Sequence, residues 1–76
     1  MALSELEKLQ RRIGKRIKEL RIEKDLKQQE LAASCNLEKT HMSRIEAGGQ
    51  NLTLKMLQRI SKGLEVDISE LFALPQ

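Results

Sequence analysis

Hydrogen-bonding and charged side chains are concentrated between Asn36 and Glu46, in the sequence NLEKTHMSRIE. Lys39 and Arg44 offer N–H donors with a permanent positive charge, and the hydroxyl of Thr40 can donate or accept a hydrogen bond. Groups of this kind recognise acceptor atoms and negative charge on a partner. The alternative is an ordinary solvated helix surface, and the choice between the two depends on the elements that hold these residues.

Catalytic and metal-binding sites find little support in the rest of the chain. Cys35 is the only cysteine and His41 the only histidine, which excludes an intrachain disulfide and a standard zinc site. We expect Cys35 to pack in the core, with a redox switch as the alternative. The sequence contains no recognisable paired carboxylates, nucleophile with its base or glycine-rich phosphate loop. We therefore expect no enzymatic activity, no metal, no cofactor and no small-molecule ligand.

Length and composition fit one small soluble domain over residues 1–76. Hydrophobic residues make up 39% and charged residues 33% of the chain, which is typical of a folded protein rather than a disordered one. Phe72 is the only aromatic residue, so leucine, isoleucine and methionine must build the core. No apolar run approaches the ~20 residues that span a bilayer. We therefore expect a cytoplasmic protein without a membrane partner.

The charged residues are unevenly distributed along the chain. Nine lysines and arginines lie between Lys8 and Lys27, whereas the charged residues that follow Gly63 are all acidic. This asymmetry indicates one face that meets a polyanion and another that does not. A solvated helix with additional lysines explains the same pattern, so charge alone does not decide between them.

The periodicity of the apolar residues predicts helices throughout and no strand. Ser4 and Glu7 match a capping box at the start of a first, long helix. Thr53 is the expected N-cap of a fourth helix, and Asp67 with Glu70 resembles a weaker capping box that opens a last one. The predicted fold is all-α, a compact bundle of five helices that begin at about residues 4, 28, 38, 53 and 67.

The second and third of these helices match a helix-turn-helix over residues 28–47. Counted from Gln28, the fourth, eighth, tenth, fifteenth and eighteenth residues are apolar and seat the two helices against each other and the core. The fifth residue, Ala32, is small enough for the helices to cross closely, and the ninth, Asn36, tolerates the left-handed conformation of a sharp turn. The apolar positions are Leu31, Cys35, Leu37, Met42 and Ile45.

A family resemblance follows from these motifs. The segment from Ile13 to Phe72 contains IGKRIKELR, QQELA, SRIEAG, NLTLKMLQRISKGLEV and ISELF in this order. It resembles the lambda-repressor-like DNA-binding domains of the XRE family, and LEKTHMSRIE with QNLTL is most similar to the small controller proteins of restriction–modification systems. The family usually has glycine where Asp25 and Asn36 stand, and serine or threonine where Lys27 stands.

The resemblance implies a sequence-specific transcriptional regulator that binds double-stranded DNA, with the third helix in the major groove. Lys39 and Arg44 can donate to guanine, or can instead contact phosphate or solvent. For Ser43, a base contact and an ordinary exposed surface position are equally expected. The expected base contacts are Glu38, Lys39, Thr40, Ser43 and Arg44. The expected phosphate contacts are Gln28, His41, Gln50, Asn51 and Lys55.

Two further expectations concern structure and assembly. Relatives pair the residues at Arg21 and Glu46 as an ion pair, and we expect the same structural role here. The C-terminal helix, residues 67–74, is expected in the interface of a homodimer that binds a two-fold symmetric operator. The interface candidates are Leu64, Val66, Ile68, Leu71, Phe72 and Leu74. The alternative is an antitoxin or other protein-interaction module that retains the helix-turn-helix as a scaffold.

Overall fold

The computed structural model describes residues 2–74, so that Met1, Pro75 and Gln76 of the expected domain lie outside the described residues. Helices make up all of the regular structure in this range, as the sequence predicts. They are α1 (Glu5–Glu23), α2 (Gln28–Ser34), α3 (Lys39–Ala47), α4 (Leu54–Leu64) and a short 3₁₀ helix (Ile68–Phe72). None of these helices is both long and apolar enough to cross a membrane.

The expectation of a fifth α-helix at 67–74 is wrong, because this segment forms one short 3₁₀ helix. Asp67 caps it by accepting hydrogen bonds from the Ser69 hydroxyl at 2.5 Å and from the Ser69 backbone N–H at 3.0 Å, and both lower the pKa of the Asp67 carboxyl. The expected capping box with Glu70 does not form. Instead, the Glu70 carboxylate and carbonyl oxygens accept hydrogen bonds from Arg16 of α1, at 3.1 and 2.9 Å. These contacts hold the 3₁₀ helix against α1.

The predicted N-caps of α1 and α4 are confirmed. Ser4 Oγ accepts from the backbone N–H of Glu7, and Glu7 Oε1 accepts from the backbone N–H of Ser4, both at 3.1 Å. The hydrogen bond from the Ser4 backbone N–H to the Glu7 carboxylate lowers the pKa of Glu7. Thr53 Oγ1 accepts from the backbone N–H of Met56 at 3.1 Å. Lys27, at the N-cap of α2, has no side-chain acceptor to offer, and only the Glu30 carboxylate closes that turn.

Each of the four α-helices described ends in a Schellman motif. The N–H of a left-handed residue donates to the carbonyl oxygen three residues earlier, and the N–H of the next residue donates to the carbonyl oxygen five residues earlier. Gly48 ends α3, but Asp25, Asn36 and Glu65 hold the equivalent positions after α1, α2 and α4, with φ of 58°, 59° and 58°. The left-handed turn predicted at Asn36 is therefore confirmed. Asp25 adopts this left-handed conformation at a steric cost that glycine would avoid.

The core is formed by aliphatic side chains from every helix. Cys35 is buried among them, with its thiol directed at the carbonyl oxygen of Arg59 at 3.6 Å, and this burial raises the pKa of the thiol. Leu6 and Leu9 remain largely exposed, because the first two turns of α1 extend past the core. The fully buried large side chains are Ile17, Leu31, Met42, Ile45, Ile60, Leu64 and Leu71.

This burial corrects part of the expected dimer interface. Leu64 and Leu71 are only 1% and 0% exposed in the monomer, because α4 and the 3₁₀ helix turn them onto the core. They offer no surface to a partner. Phe72 is exposed, whereas Val66, Ile68 and Leu74 are partly buried against the core.

Gly14 allows α1 and α3 to approach each other closely. A Cβ atom at this position would overlap the carbonyl oxygen of Ile45 and lie 2.9 Å from that of Glu46. Both oxygens are backbone atoms of α3 and cannot move aside without moving the helix. The absence of a side chain at Gly14 therefore sets the distance between the long helix and α3.

Replacement of Glu65 by glycine should stabilise the protein. Glycine adopts φ near 58° without the Cβ clash, so we expect Glu65→Gly to raise the free energy of unfolding by about 0.5 to 1 kcal/mol. Chemical denaturation measures this change. Glu65→Ala removes the same carboxylate but keeps the Cβ atom and should give no gain; an equal gain from alanine would contradict the role of the backbone.

Candidate nucleic-acid interface

α3 is fixed from its inner side by apolar contacts. Met42 and Ile45 are 0% and 1% exposed and point into the core, and Leu37 packs against its edge. Asn36 makes the turn from α2, and Gly48 ends the helix. Because these inner side chains hold one side of the helix against the core, Lys39, Thr40, Ser43 and Arg44 face away from it.

The outer face of α3 consists of polar side chains that have no hydrogen-bond or ion-pair partner among residues 2–74. Glu38 is the N-cap, but its side chain caps no backbone N–H. Within residues 2–74, no hydrogen bond or ion pair engages the side chains of the other four expected base-contact residues. All five candidates are exposed, namely Glu38, Lys39, Thr40, Ser43 and Arg44.

A shallow polar depression of about 430 Å³ flanks this face on one side. Thr40 and Arg44 from the outer face of α3 line it together with His41 and Gln50. Glu38 lines it as well, so the structure brings three expected base contacts together with two expected phosphate contacts. His41 and Gln50 are half-buried, so their positions are constrained more than those of the neighbouring exposed side chains.

A second polar depression, of about 450 Å³, flanks the start of α3. Gln28, an expected phosphate contact, lies here beside Lys39 at the start of α3. Lys27 and Gln29 also line the depression, and the sequence reasoning did not assign them a role. Lys27 could have been predicted, because a lysine in place of the usual serine or threonine adds a positive charge beside Gln28.

Arg21 and Glu46 form the expected ion pair between α1 and α3. The guanidinium donates two hydrogen bonds to the carboxylate, at 2.7 and 3.1 Å, and a third to the carbonyl oxygen of Leu26 at 2.8 Å. Glu46 also accepts from Nε2 of Gln28 at 3.1 Å. One buried carboxylate therefore links α1, the first residue of α2 and the end of α3. The second N–H of the Gln28 side-chain amide remains for another partner.

The remaining two expected phosphate contacts have different surroundings. Asn51 is exposed in the loop between α3 and α4, and its Oδ1 accepts a hydrogen bond from Gln10 of α1 at 2.7 Å. Lys55 is exposed on the first turn of α4 and lines a separate depression with Val66 and Ile68. The structure does not bring Lys55 into either depression that flanks α3. Gln10 was missed because one polar residue in an apolar row indicates no particular partner.

No group of histidine, cysteine, aspartate and glutamate side chains in residues 2–74 is arranged to hold a metal ion. Apart from Glu38, the site consists of cationic and neutral polar side chains around one helix. Such donors match a ligand that presents negative charge and hydrogen-bond acceptors along an extended surface.

Comparison with known proteins decides the family. The family model described as helix-turn-helix matches residues 17–71. The chain belongs to the XRE-type helix-turn-helix family. It is a helix-turn-helix DNA-binding regulator, and the family resemblance recognised in the sequence is confirmed.

Several relatives of this family member are controller proteins. The chain is 46% identical to control protein C.MunI of Mycoplasma sp over 63 residues, which cover 82% of this chain and 85% of the relative. It is 36% identical to control protein C.BamHI of Bacillus amyloliquefaciens over 59 residues, 76% of this chain and 73% of the relative. The structure is similar to the restriction-modification controller protein C.AhdI from Aeromonas hydrophila, with a TM-score of 0.79, 31% identity, and coverage of 82% of this chain and 94% of that chain.

Removal of one partner of the buried ion pair should strongly destabilise the protein. Glu46→Ala leaves the Arg21 guanidinium and the Gln28 amide without their acceptor, and we expect a loss of about 3 to 5 kcal/mol of unfolding free energy. Denaturant titration measures this loss.

Two controls separate the buried pair from surface charge. Glu19→Ala breaks a contact of 3.9 Å with Arg16 near the surface and should cost less than about 1 kcal/mol. The double substitution Arg21→Met with Glu46→Met should cost less than Glu46→Ala, because no buried charge is left unpaired. Equal losses for Glu46→Ala and Glu19→Ala would contradict the structural role of the pair.

Proposed function

We propose that this protein is a transcriptional regulator that binds as a homodimer to a two-fold symmetric DNA operator, with α3 of each protomer in the major groove. The observation that carries the proposal is the outer face of α3. Its polar side chains lack partners in the described part of the protein, while Met42, Ile45 and the Arg21–Glu46 pair hold the helix in place.

The chemistry of this face suits the edges of base pairs. The major groove admits an α-helix, and the first residues of such a helix reach the bases. Lys39 and Arg44 can donate to guanine O6 and N7, and the Thr40 hydroxyl can bond a base edge or pack on a thymine methyl group. Glu38, at the N-cap, can accept from cytosine N4.

The two polar depressions suit the sugar–phosphate backbone on either side of the groove. Gln28 with Lys27 lies beside the start of α3, and His41 with Gln50 lies along its other side. Phosphate contacts fix the register of a protein on DNA without reading the sequence. Asn51 extends the second of these surfaces, and Lys55 contributes positive charge from the start of α4.

Energetics favour a dimer. A good base contact discriminates by roughly 1–3 kcal/mol, so the few contacts that one α3 can make give limited selectivity. A second copy related by two-fold symmetry doubles the number of contacts and makes the operator an inverted repeat. The relatives named control and controller proteins support the same role here, namely control of restriction–modification genes.

The second copy has a defined apolar surface to cover, centred on Leu54. This side chain is 73% exposed, and it lines an apolar groove of about 210 Å³ with Leu6, Leu9, Leu52 and Phe72. Four of the five large hydrophobic side chains that are exposed in residues 2–74 lie in this groove. Leu52 of the groove follows Gln50 and Asn51 in the loop after α3, so a partner seated there would lie next to the loop that is proposed to contact DNA.

The same groove is the observation that favours the second candidate function, an antitoxin or other protein-interaction module. In that case a different protein would cover Leu54 and its neighbours, and the chain alone would remain a monomer. The two functions differ in oligomeric state and in DNA selectivity, and both properties can be measured.

Selection of bound duplexes from random DNA tests the operator. We expect an enriched inverted repeat with half-sites about one helical turn apart. Arg44→Ala should abolish the base preference at one symmetric pair of positions, because it removes the donor on the outer face of α3. Lys62→Ala, which removes an exposed lysine of α4 away from α3, is the matched control. Binding without any sequence preference would contradict the proposal.

Substitution of Leu54 tests the dimer surface. We expect wild-type protein to sediment as a dimer at tens of micromolar, and Leu54→Glu to sediment as a monomer and to lose affinity for the inverted repeat. Ile22→Glu is the matched control, because Ile22 is 58% exposed and lies outside the groove. A strictly monomeric wild-type protein, with and without DNA, would favour the protein-interaction module instead.

A further inference from the structure

Gln10 is a polar side chain in the row that α1 directs at the core. It is only 9% exposed, and the next residues on the same side are Ile13, Gly14 and Ile17. Its Nε2 donates a hydrogen bond to Oδ1 of Asn51 at 2.7 Å, across 41 residues of sequence. A buried amide in an apolar row requires such a partner, and here the partner belongs to the loop beside α3.

The hydrogen bond determines which end of the Asn51 amide faces outward. An asparagine amide has an acceptor oxygen on one side and an NH₂ group with two donors on the other. Because Gln10 occupies Oδ1, the Nδ2 group is the part of the Asn51 amide that remains for another partner. Asn51 is exposed, and no hydrogen bond to its Nδ2 is found within residues 2–74. The amide therefore presents donors, and not its oxygen, to whatever lies outside.

The position of the loop places Asn51 next to the candidate nucleic-acid interface. Gln50, the preceding residue, lines the polar depression with His41 and Arg44 of α3. Among the described backbone hydrogen bonds outside the helices, none fixes the N–H of residues 50–53. Packing of Leu52 and the side-chain hydrogen bond from Gln10 thus hold this loop.

We propose that Gln10 is a positioning residue for DNA binding, which orients the Asn51 amide so that its N–H groups donate to a phosphate oxygen. This inference rests on the proposed function. Gln10 itself touches no DNA and acts only through Asn51. A carboxylate at position 10 would reverse the arrangement, because it can only accept from Nδ2 of Asn51 and would leave Oδ1 facing the anionic backbone.

The test is a double-mutant cycle with a fluorescently labelled duplex that carries the selected inverted repeat, and a mixed-sequence duplex as competitor. We expect Asn51→Ala to weaken binding about 10-fold, as the loss of a hydrogen bond to a charged group does. Gln10→Met, which has similar size and no hydrogen bond, should weaken binding to a comparable extent. In the Asn51→Ala background, Gln10→Met should have no further effect on the dissociation constant.

Gln10→Glu provides the sharper variant. It keeps a hydrogen bond to Asn51, so its melting temperature should stay closer to that of wild type than that of Gln10→Met. Its DNA binding should nevertheless be weaker than that of Gln10→Met. In the Asn51→Ala background, the difference in DNA affinity between Gln10→Glu and Gln10→Met measures the effect of the added charge alone. Any larger difference in the presence of Asn51 reports the reversed amide.

The outcomes separate this inference from the proposed function. Wild-type protein that binds neither duplex overturns both. Wild-type binding together with independent, multiplicative effects of Gln10→Met and Asn51→Ala overturns the role of Gln10 alone. If the Gln10 variants fail to fold, side-chain amide resonances of ¹⁵N-labelled wild-type protein decide: the Asn51 NH₂ signals should shift on addition of DNA, and unchanged Asn51 signals would overturn the inference.

Discussion

The close contact between α1 and α3 is the constraint on which the rest of the structure depends. Gly14 lets the two helix backbones approach, and the buried carboxylate of Glu46 is held by the Arg21 guanidinium at the end of the same contact. Burial of charge is costly unless every partner is present, so this pair defines one relative position of the helices. That position in turn fixes which side chains of α3 face outward.

The Glu46 carboxylate also fixes the position of α2, since it accepts a hydrogen bond from Gln28. A small core of aliphatic side chains gives limited stability by itself, and two polar links at the C-terminal end of α3 complement it. Glu46 connects the last turn of α3 to α1 and α2, whereas the Gln10–Asn51 hydrogen bond connects the loop after α3 to α1. α1 therefore acts as the frame against which α3 and the loop after it, the elements proposed to contact DNA, are held.

Sequence patterns were sufficient for the parts of the fold that depend on local periodicity. The apolar spacing of Leu31, Met42 and Ile45 predicted the helix-turn-helix, because each position must be buried for the two helices to cross. The same periodicity could not separate core from interface, so Leu64 and Leu71 were assigned to a dimer surface although both are buried in the monomer. The Gln10–Asn51 contact could not be predicted, because polar pairs far apart in sequence leave no periodic signal.

In the proposed function, DNA contacts the outer face of α3 and not the basic surface of α1 that the charge distribution alone would suggest. Backbone amide chemical shifts of ¹⁵N-labelled protein, measured during titration with the selected duplex, distinguish these two surfaces. We expect the largest changes from Lys39 to Arg44 and around Gln50 and Asn51. The largest changes along α1 between Lys15 and Lys18, with α3 unaffected, would contradict the proposed function.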